Sequence, residues 1–278
     1  MNFQQKKAEM SNEMQTQQGG ELMKPDYLNE IDKKDWGTDN LAQYVTPPFL
    51  KIVQKQASAP FDQYENGTIM AVPQNIELFR PGQEFHITPI FQYTEFVITN
   101  PYTLKASLPF IRERSTDPNG EIAKRARNFN DRMMICPEAP ADKQNNDKYM
   151  CCYYEHINFI VVIHESETLG GLPIVMTFRS GSFKQGKNFA SLVKMRQGPM
   201  PACVFKCCST KLVQGGEENY VFSISNPTDN APWLTEEEFL KTNELHKEFK
   251  KLSEENRLQA SYESDAAGDG TSPETPEM

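Results

Sequence analysis

The residues from Gly181 to Asn188 read GSFKQGKN and match G-x-x-x-x-G-K, a pattern in which backbone N–H groups cradle phosphates and a lysine reaches their outer oxygens. That chemistry also needs a Ser or Thr after the lysine to hold Mg²⁺, and Asn188 stands there instead. The apolar strand ending in an acid, FIVVIHE (Phe159–Glu165), precedes the loop rather than following it. The flanking segments read as antiparallel strands, whereas this class of enzyme is built on a parallel sheet with crossover helices. A nucleotide-binding enzyme using Gly181–Asn188 as a degenerate phosphate loop is therefore kept as an alternative. The same glycines and lysines at a helix start can instead hold a nucleic-acid phosphate, through free N–H groups and the helix dipole.

Cations cluster around this segment. From Thr168 to Leu212 there are seven Lys/Arg (Arg179, Lys184, Lys187, Lys194, Arg196, Lys206 and Lys211) and no Asp or Glu. From Val213 onward five Lys/Arg face fifteen Asp/Glu, so a local +7 and a local −10 are hidden inside a formal net charge of −9. Such asymmetry points to a basic surface for a polyanion plus an acidic tail, against the plainer reading of a solvated surface. Arg125 and Arg127, within KRAR (Lys124–Arg127), extend the candidate phosphate contacts. Flat rings supply the other half of single-strand recognition, because unstacked bases settle on them. The candidate platforms are Phe91, Tyr93, Phe96, Tyr102, Tyr153 and Tyr154. By strand alternation Phe91 and Tyr93 share a face, and Tyr153 and Tyr154 oppose each other.

Other chemistry finds less support. Cys136, Cys151, Cys152 and His156, or Cys203, Cys207 and Cys208, lack C-x-x-C spacing, and adjacent strand cysteines point to opposite faces. Buried free thiols are expected, with no metal and no cofactor. The four histidines have no nucleophile elbow to serve, and His246 is expected to be solvated. No paired-carboxylate or triad pattern appears, so the chain reads as a non-enzyme.

The elements that must position these residues follow from periodicity and turn signals. Residues 1–25 are polar and Gln-rich and are expected to be disordered. LAQYVTPPFLKIVQ (Leu41–Gln54) reads as extended entry into the fold, since Pro47-Pro48 bars a helix. Strands are expected at Thr68–Val72, Glu84–Ile90, Phe91–Ile98, Cys151–His164, Leu172–Ser180, Cys203–Val213 and Asn219–Ser225. Turns belong at Asn66-Gly67, Pro81-Gly82, Gly170-Gly171 and Gly215-Gly216. Residues 115–148 read as a long loop or insertion with at most a short helix.

One helix, Ser182–Arg196, opens with a Ser-x-x-Gln capping pattern; its apolar face holds Phe189, Leu192 and Val193, and a second face holds Lys184, Lys187, Ser191 and Lys194. A second helix starts at Thr235, with Glu238 three residues on, and runs to about 259. The expected organisation is a mainly β core over 26–234, a helix over 235–259 and a disordered acidic tail over 260–278. An antiparallel barrel of the oligonucleotide-binding type fits the strand count.

On LAQYVTPPFLKIVQ, LPIVMTFRSGSFKQGKNF and APWLTEEEF with its acidic tail, the chain resembles bacteriophage proteins of the single-stranded DNA-binding or recombination-accessory kind. The resemblance is one of arrangement over roughly Leu41 to Ser225. It implies a protein that coats single strands during phage replication, recombination and repair, with an oligonucleotide-binding (OB-fold-like) core. It also implies an acidic C-terminus that contacts replication or recombination proteins. The tail here ends in ETPEM with no terminal aromatic, which departs from that pattern. The expected partner is single-stranded DNA, with room for a homo-oligomer and none for a membrane. A phage structural or host-interaction protein is the remaining alternative. With no apolar leader and six cysteines, a cytoplasmic setting in the host is expected.

Overall fold

The computed structural model describes residues 47–255, apart from 56, 58, 105, 106, 145, 215 and 229–231, together with Leu258. Two units are distinguished, Met1–Val45 and Thr46–Met278, and every described residue belongs to the second. The expectations for residues 1–25, for the start of LAQYVTPPFLKIVQ and for the tail over 260–278 lie outside the described residues.

Two long strands organise the rest. EFHITPI and FQYTEFVI, read from sequence as separate strands, form one strand, β4 (Phe85–Thr99). Pro89 does not break it because the register shifts between Pro89 and Phe91, leaving Ile90 as a bulge. A bulge tolerates a residue that cannot donate to the ladder. β4 pairs antiparallel with β7 (Met150–Ile163), from Ile87↔Ile163 to Thr99↔Cys152. Shorter strands attach to the two ends of this pair. β5 (Ile111–Ser115) lies on the far end of β4, and β6 (Met133–Ile135) lies on the near end of β7. Beyond the bulge, β9 (Phe205–Gln214) and then β10 (Glu217–Ser225) extend the β4 side. β8 (Ile174–Phe178), β1 (Phe49–Ile52), β2 (Ile69–Val72) and β3 (Ile76–Phe79) extend the β7 side. Among the described residues all strand pairings are antiparallel except β1 with β8.

Alternation divides the helices between the two faces of this sheet. Ile157, Phe159, Val161 and Ile163 of β7 pack with Met176 and Phe178 of β8 under helix α2 (Phe183–Met195), through Phe189. The intervening Ile160 and Val162 pack with Val175 under helix α3 (Glu236–Glu254), through Phe249, Leu245 and Leu252. Helix α1 (Glu121–Arg127) caps a third cluster, with Phe96, Ile98 and Tyr153, toward the β5–β6 end. Residues 115–148, read from sequence as a loop with at most a short helix, thus hold α1 and also strand β6.

The sheet is mixed and open, so the expectation of a closed OB-like barrel is not met. Among the described residues no ladder joins β10 to β3. Side chains instead tie β9 and β10 to the residues that follow β1 and precede β2. The Gln54 amide donates to Tyr220 O and accepts from Tyr220 N, both at 2.9 Å, in the manner of a missing strand partner. Ser209 Oγ donates to Gly67 O at 2.5 Å, and Gly67 lies so close to the Tyr220 ring that an added Cβ would sit 2.5 Å from Cδ1. With φ at +93°, position 67 is also one that L side chains rarely adopt.

Gln54→Ala is expected to strip both partners from the Tyr220 peptide and to lower stability by about 1–2 kcal/mol. Urea unfolding should show this as a lower midpoint with an unchanged slope. Gly67→Ala should cost more, since it adds a clash to an unfavourable φ; equal midpoints for the two variants would contradict this account of the ties.

Candidate nucleic-acid interface

Helix α2 follows β8 through a 3₁₀ turn, Ser180–Ser182, with Ser180 at φ +43°. The capping role expected of Ser182 is not the one observed. Its hydroxyl donates to Arg179 O and accepts from Arg179 N, closing the 3₁₀ turn, and makes no cap bond to α2. The segment Gly181–Asn188 also forms no phosphate loop. The helix has already begun at Phe183, and Gly186 is buried in its first turns against Phe178, where a Cβ would lie 2.7 Å from Phe178 Cβ. Glycine serves close packing here, and Asn188 is exposed on the helix.

Rotation about α2 is fixed by an aromatic layer. The Phe189 ring lies 4.4 Å from that of Phe159 and 5.3 Å from that of Phe205, centroid to centroid. With that face buried, Lys184, Lys187, Ser191 and Lys194 all emerge exposed on the outer one. They form a row ~15 Å long at 1.5 Å per residue. The helix contains no Asp or Glu. Among the described residues no carboxylate lies within ion-pair distance of these three lysines, and Lys187 Nζ stands 4.7 Å over the Phe183 ring.

The other predicted cations have different fates. Arg179 continues the alternation of β8 and falls on the face away from α2, half-buried, where its charge is felt at His156. Lys206 is paired with Glu84 at 2.9 Å and Lys211 with Glu218 at 2.5 Å. Arg125 is committed to the protein: it donates to Tyr153 Oη and to the carbonyls of Asp131 and Met133. Arg127 donates to Pro118 O, lies 3.7 Å from Glu155 and covers the Phe96 ring. Arg196 leaves the row: it projects from the Phe189 side of the last turn, half-buried, with its Nε buried. It donates to Asn226 Oδ1 at 2.9 Å at the C-terminal end of α2, with Cζ 5.3 Å from the Phe205 ring.

Most of the predicted stacking rings are withdrawn from solvent. Tyr93, Phe96 and Tyr153 are buried, so no base can lie on them. Phe91 and Tyr93 do share a face, but it is the one covered by α3, where Phe91 is half-buried 5.9 Å from the His246 ring. Tyr154 is half-buried and Tyr102 is 39 % exposed. His246, expected to be solvated, is half-buried and donates from Nδ1 to Ile90 O at 2.7 Å. The exposed aromatic beside the α2 cations is one that sequence reading missed. Trp233 is 40 % exposed, with its ring centroid 5.9 Å from Arg196 Cζ. Its signal was modest, an isolated tryptophan just before a helix cap.

Behind the sheet, on the α3 face, runs a polar strip that sequence reading also missed. Glu95 opposes His156 across β4 and β7, Tyr93 opposes Asn158, and Asn158 opposes Thr177. Thr177 donates to Asn158 Oδ1 at 2.8 Å, and Arg114 lies 3.5 Å from Glu95. A cleft of about 640 Å³ at its edge is lined by Glu95, Arg114, Ser115, Thr116, Asp117, Pro118 and Leu258. One guanidinium against two carboxylates does not make a polyanion site. No group of three or more His, Cys, Asp or Glu among the described residues is arranged to hold a metal ion. All six cysteines are free thiols. Burial pushes the Cys151 thiol up to about 12 and raises Cys207 as well. No described helix is long and apolar enough to cross a membrane.

The strip has a consequence for stability. Burial, with the Arg179 and Arg114 charges adding to it, pushes the His156 imidazole down from 6.5 to about 3. Below about pH 6.5 the unfolded chain takes up a proton that the folded ring refuses, so this ring's contribution is lost as pH falls toward 3. The loss is at most ~1.4 kcal/mol per pH unit. His164, lowered mainly by burial, acts in the same direction. Urea midpoints recorded from pH 7 to pH 4 should therefore fall, and fall less steeply in His156→Gln; parallel curves would refute this assignment.

Comparison of the chain with protein-family models, with curated proteins and with solved structures found no match, so the functional reading rests on the geometry of α2 and its surroundings.

Proposed function

We propose that this protein binds single-stranded DNA with little sequence preference, neutralising backbone phosphates along helix α2. The observation that carries this reading is the row Lys184, Lys187 and Lys194, exposed on a helix free of carboxylates. A polyanion is the natural ligand for a row of unpaired ammonium groups, because each phosphate it meets releases a condensed counterion. Arg196 supplies a fourth cation past the C-terminal end of the row, on the flank of α2 that meets Trp233. Binding rather than catalysis is the better account, since no phosphate loop forms at Gly181–Asn188. The acidic segment over 260–278 lies outside the described residues; as a tethered polyanion it would compete with DNA for the same lysines.

Affinity for labelled poly-dT, measured across salt concentrations, tests this directly. Four neutralised phosphates predict a log–log slope near −3, at about −0.7 per phosphate on a single strand. Replacing Lys184, Lys187 and Lys194 together by Ala should bring the slope to about −1. Lys206→Ala and Lys211→Ala, which remove cations already paired with Glu84 and Glu218, should leave it near −3. Salt-independent binding, or none at low salt, would end this reading.

A further inference from the structure

We propose that Trp233 is the base-stacking platform of this surface, and that it restricts the ligand to unpaired strands. The inference rests on the reading of α2 as a phosphate-binding row and adds the group that meets the base.

The indole is held in place from several sides. Its residue sits in an isolated bridge with Cys203, flanked by hydrogen bonds from Val204 N to Pro232 O at 3.0 Å and from Leu234 N to Ala202 O at 2.9 Å. The ring edge rests on Gly198, where an added Cβ would lie 2.6 Å from Cη2. Arg196 lies against the ring. A backbone pinned on both sides and a ring seated on a glycine leave little freedom to lose on binding. Even so, 40 % of the residue remains exposed. A large aromatic so constrained and so exposed is suited to receive a flat partner.

Position supplies the identity of that partner. Arg196 and Gly198, two and four residues beyond Lys194, bring the indole to the C-terminal end of α2. Among the described residues the Arg196 guanidinium makes one polar contact, through Nη2 to Asn226, which leaves its other terminal nitrogen free for a phosphate. A lysine row with an arginine and an exposed indole past its C-terminal end suits a chain whose charges alternate with flat rings. In a duplex both faces of each base are already stacked, so this platform serves only an unpaired base.

The test uses the full chain with Trp36→Phe, so that Trp233 is the sole tryptophan of the two present. Its emission is titrated at low salt with oligonucleotides of about 15 nucleotides: oligo-dT, oligo-rU, and a duplex. Quenching that saturates in step with binding is expected for the tighter of the two single strands, which also separates DNA from RNA as the source of the base. The duplex should give none. Trp233→Ala should weaken single-strand binding by about 5- to 150-fold, the equivalent of ~1–3 kcal/mol per stacked base. Its salt slope should stay that of the parent, because no phosphate contact is removed. Gly198→Ala, which displaces the ring while keeping it, should weaken binding in the same direction. Unquenched emission at saturation overturns the proposal even if a variant fails to fold, and so does Trp233→Ala binding with parental affinity. In both cases a parental slope near −3 leaves the lysine row standing. Absence of salt-dependent binding by the parent protein would remove both.

Discussion

The contact between Gly186 and Phe178 is the constraint on which the candidate surface depends. Helix α2 carries a glycine in its first turns and no side-chain cap bond, so it has little intrinsic stability of its own. Packing supplies what propensity does not. Without a side chain at 186 the helix axis can approach β8 until Phe178 meets the backbone, and Phe189, one turn on, then drops between Phe159 and Phe205. That seating fixes both the depth and the rotation of the helix. The lysines have no need of partners to hold their direction; they point outward because the opposite side of the same helix is locked.

The elements that proved legible in the sequence are those whose signals are local. Thr235 and Glu238 form the reciprocal capping box that their spacing suggests, with Thr235 N donating to Glu238 Oε2 at 3.0 Å and Glu238 N donating to Thr235 Oγ1 at 3.4 Å. Gly170 and Gly171, both at positive φ, lie in the connection from β7 to β8 where a turn was expected. What could not be read is set by distant pairing. Pro89 looks like a strand breaker until pairing with β7 is seen to continue past a bulge at Ile90 of β4. β3, β5 and β6 are short and only partly buried, so they carry weak periodicity and exist as strands because β2, β4 and β7 offer them an edge. Closure is less local still. Whether a curled sheet becomes a barrel depends on accumulated twist and register, and here the outer edge of β10 is met at Tyr220 by the Gln54 side chain, just past β1.

The same division runs through the candidate site. Lys184, Lys187 and Lys194 were found because their spacing is read within one helix. Lys211 could not be judged that way, because Glu218, its counter-ion, comes from the next strand by cross-strand pairing. Arg125 and Arg127 belong to a helix whose inner face meets Tyr153 and Phe96, so their cationic heads cover those rings, although Arg127 keeps an exposed side. Among aromatics the sequence shows identity and not exposure. Tyr93 and Tyr153 are indistinguishable by type from a surface ring, and only the third dimension places them in the core.

Charge segregation along the chain survives in the fold chiefly on α2, and the proposed polyanion ligand of a chain of formal charge −9 rests on that local row. Odd-numbered residues of β7 face α2 and even-numbered ones face α3, so the part of the acidic helix that carries Leu245, Phe249 and Leu252 lies across the sheet from the lysine row, while its N-terminal part starts just after Trp233 and is tied to Pro201 through Thr242. Stacked layers are separated by about 10 Å each, whereas fields between exposed charges decay over about 8 Å at physiological ionic strength. In the proposed reading, a strand approaching the lysine row meets the local positive potential rather than the molecular total. At low salt the screening length grows several-fold and the acidic side begins to be felt at long range. Salt then acts in two opposed ways, weakening close phosphate contacts while shielding the repulsion that slows approach. The contact contribution dominates the equilibrium, because counterion release scales with phosphates neutralised, whereas the distant repulsion acts chiefly on the rate of encounter.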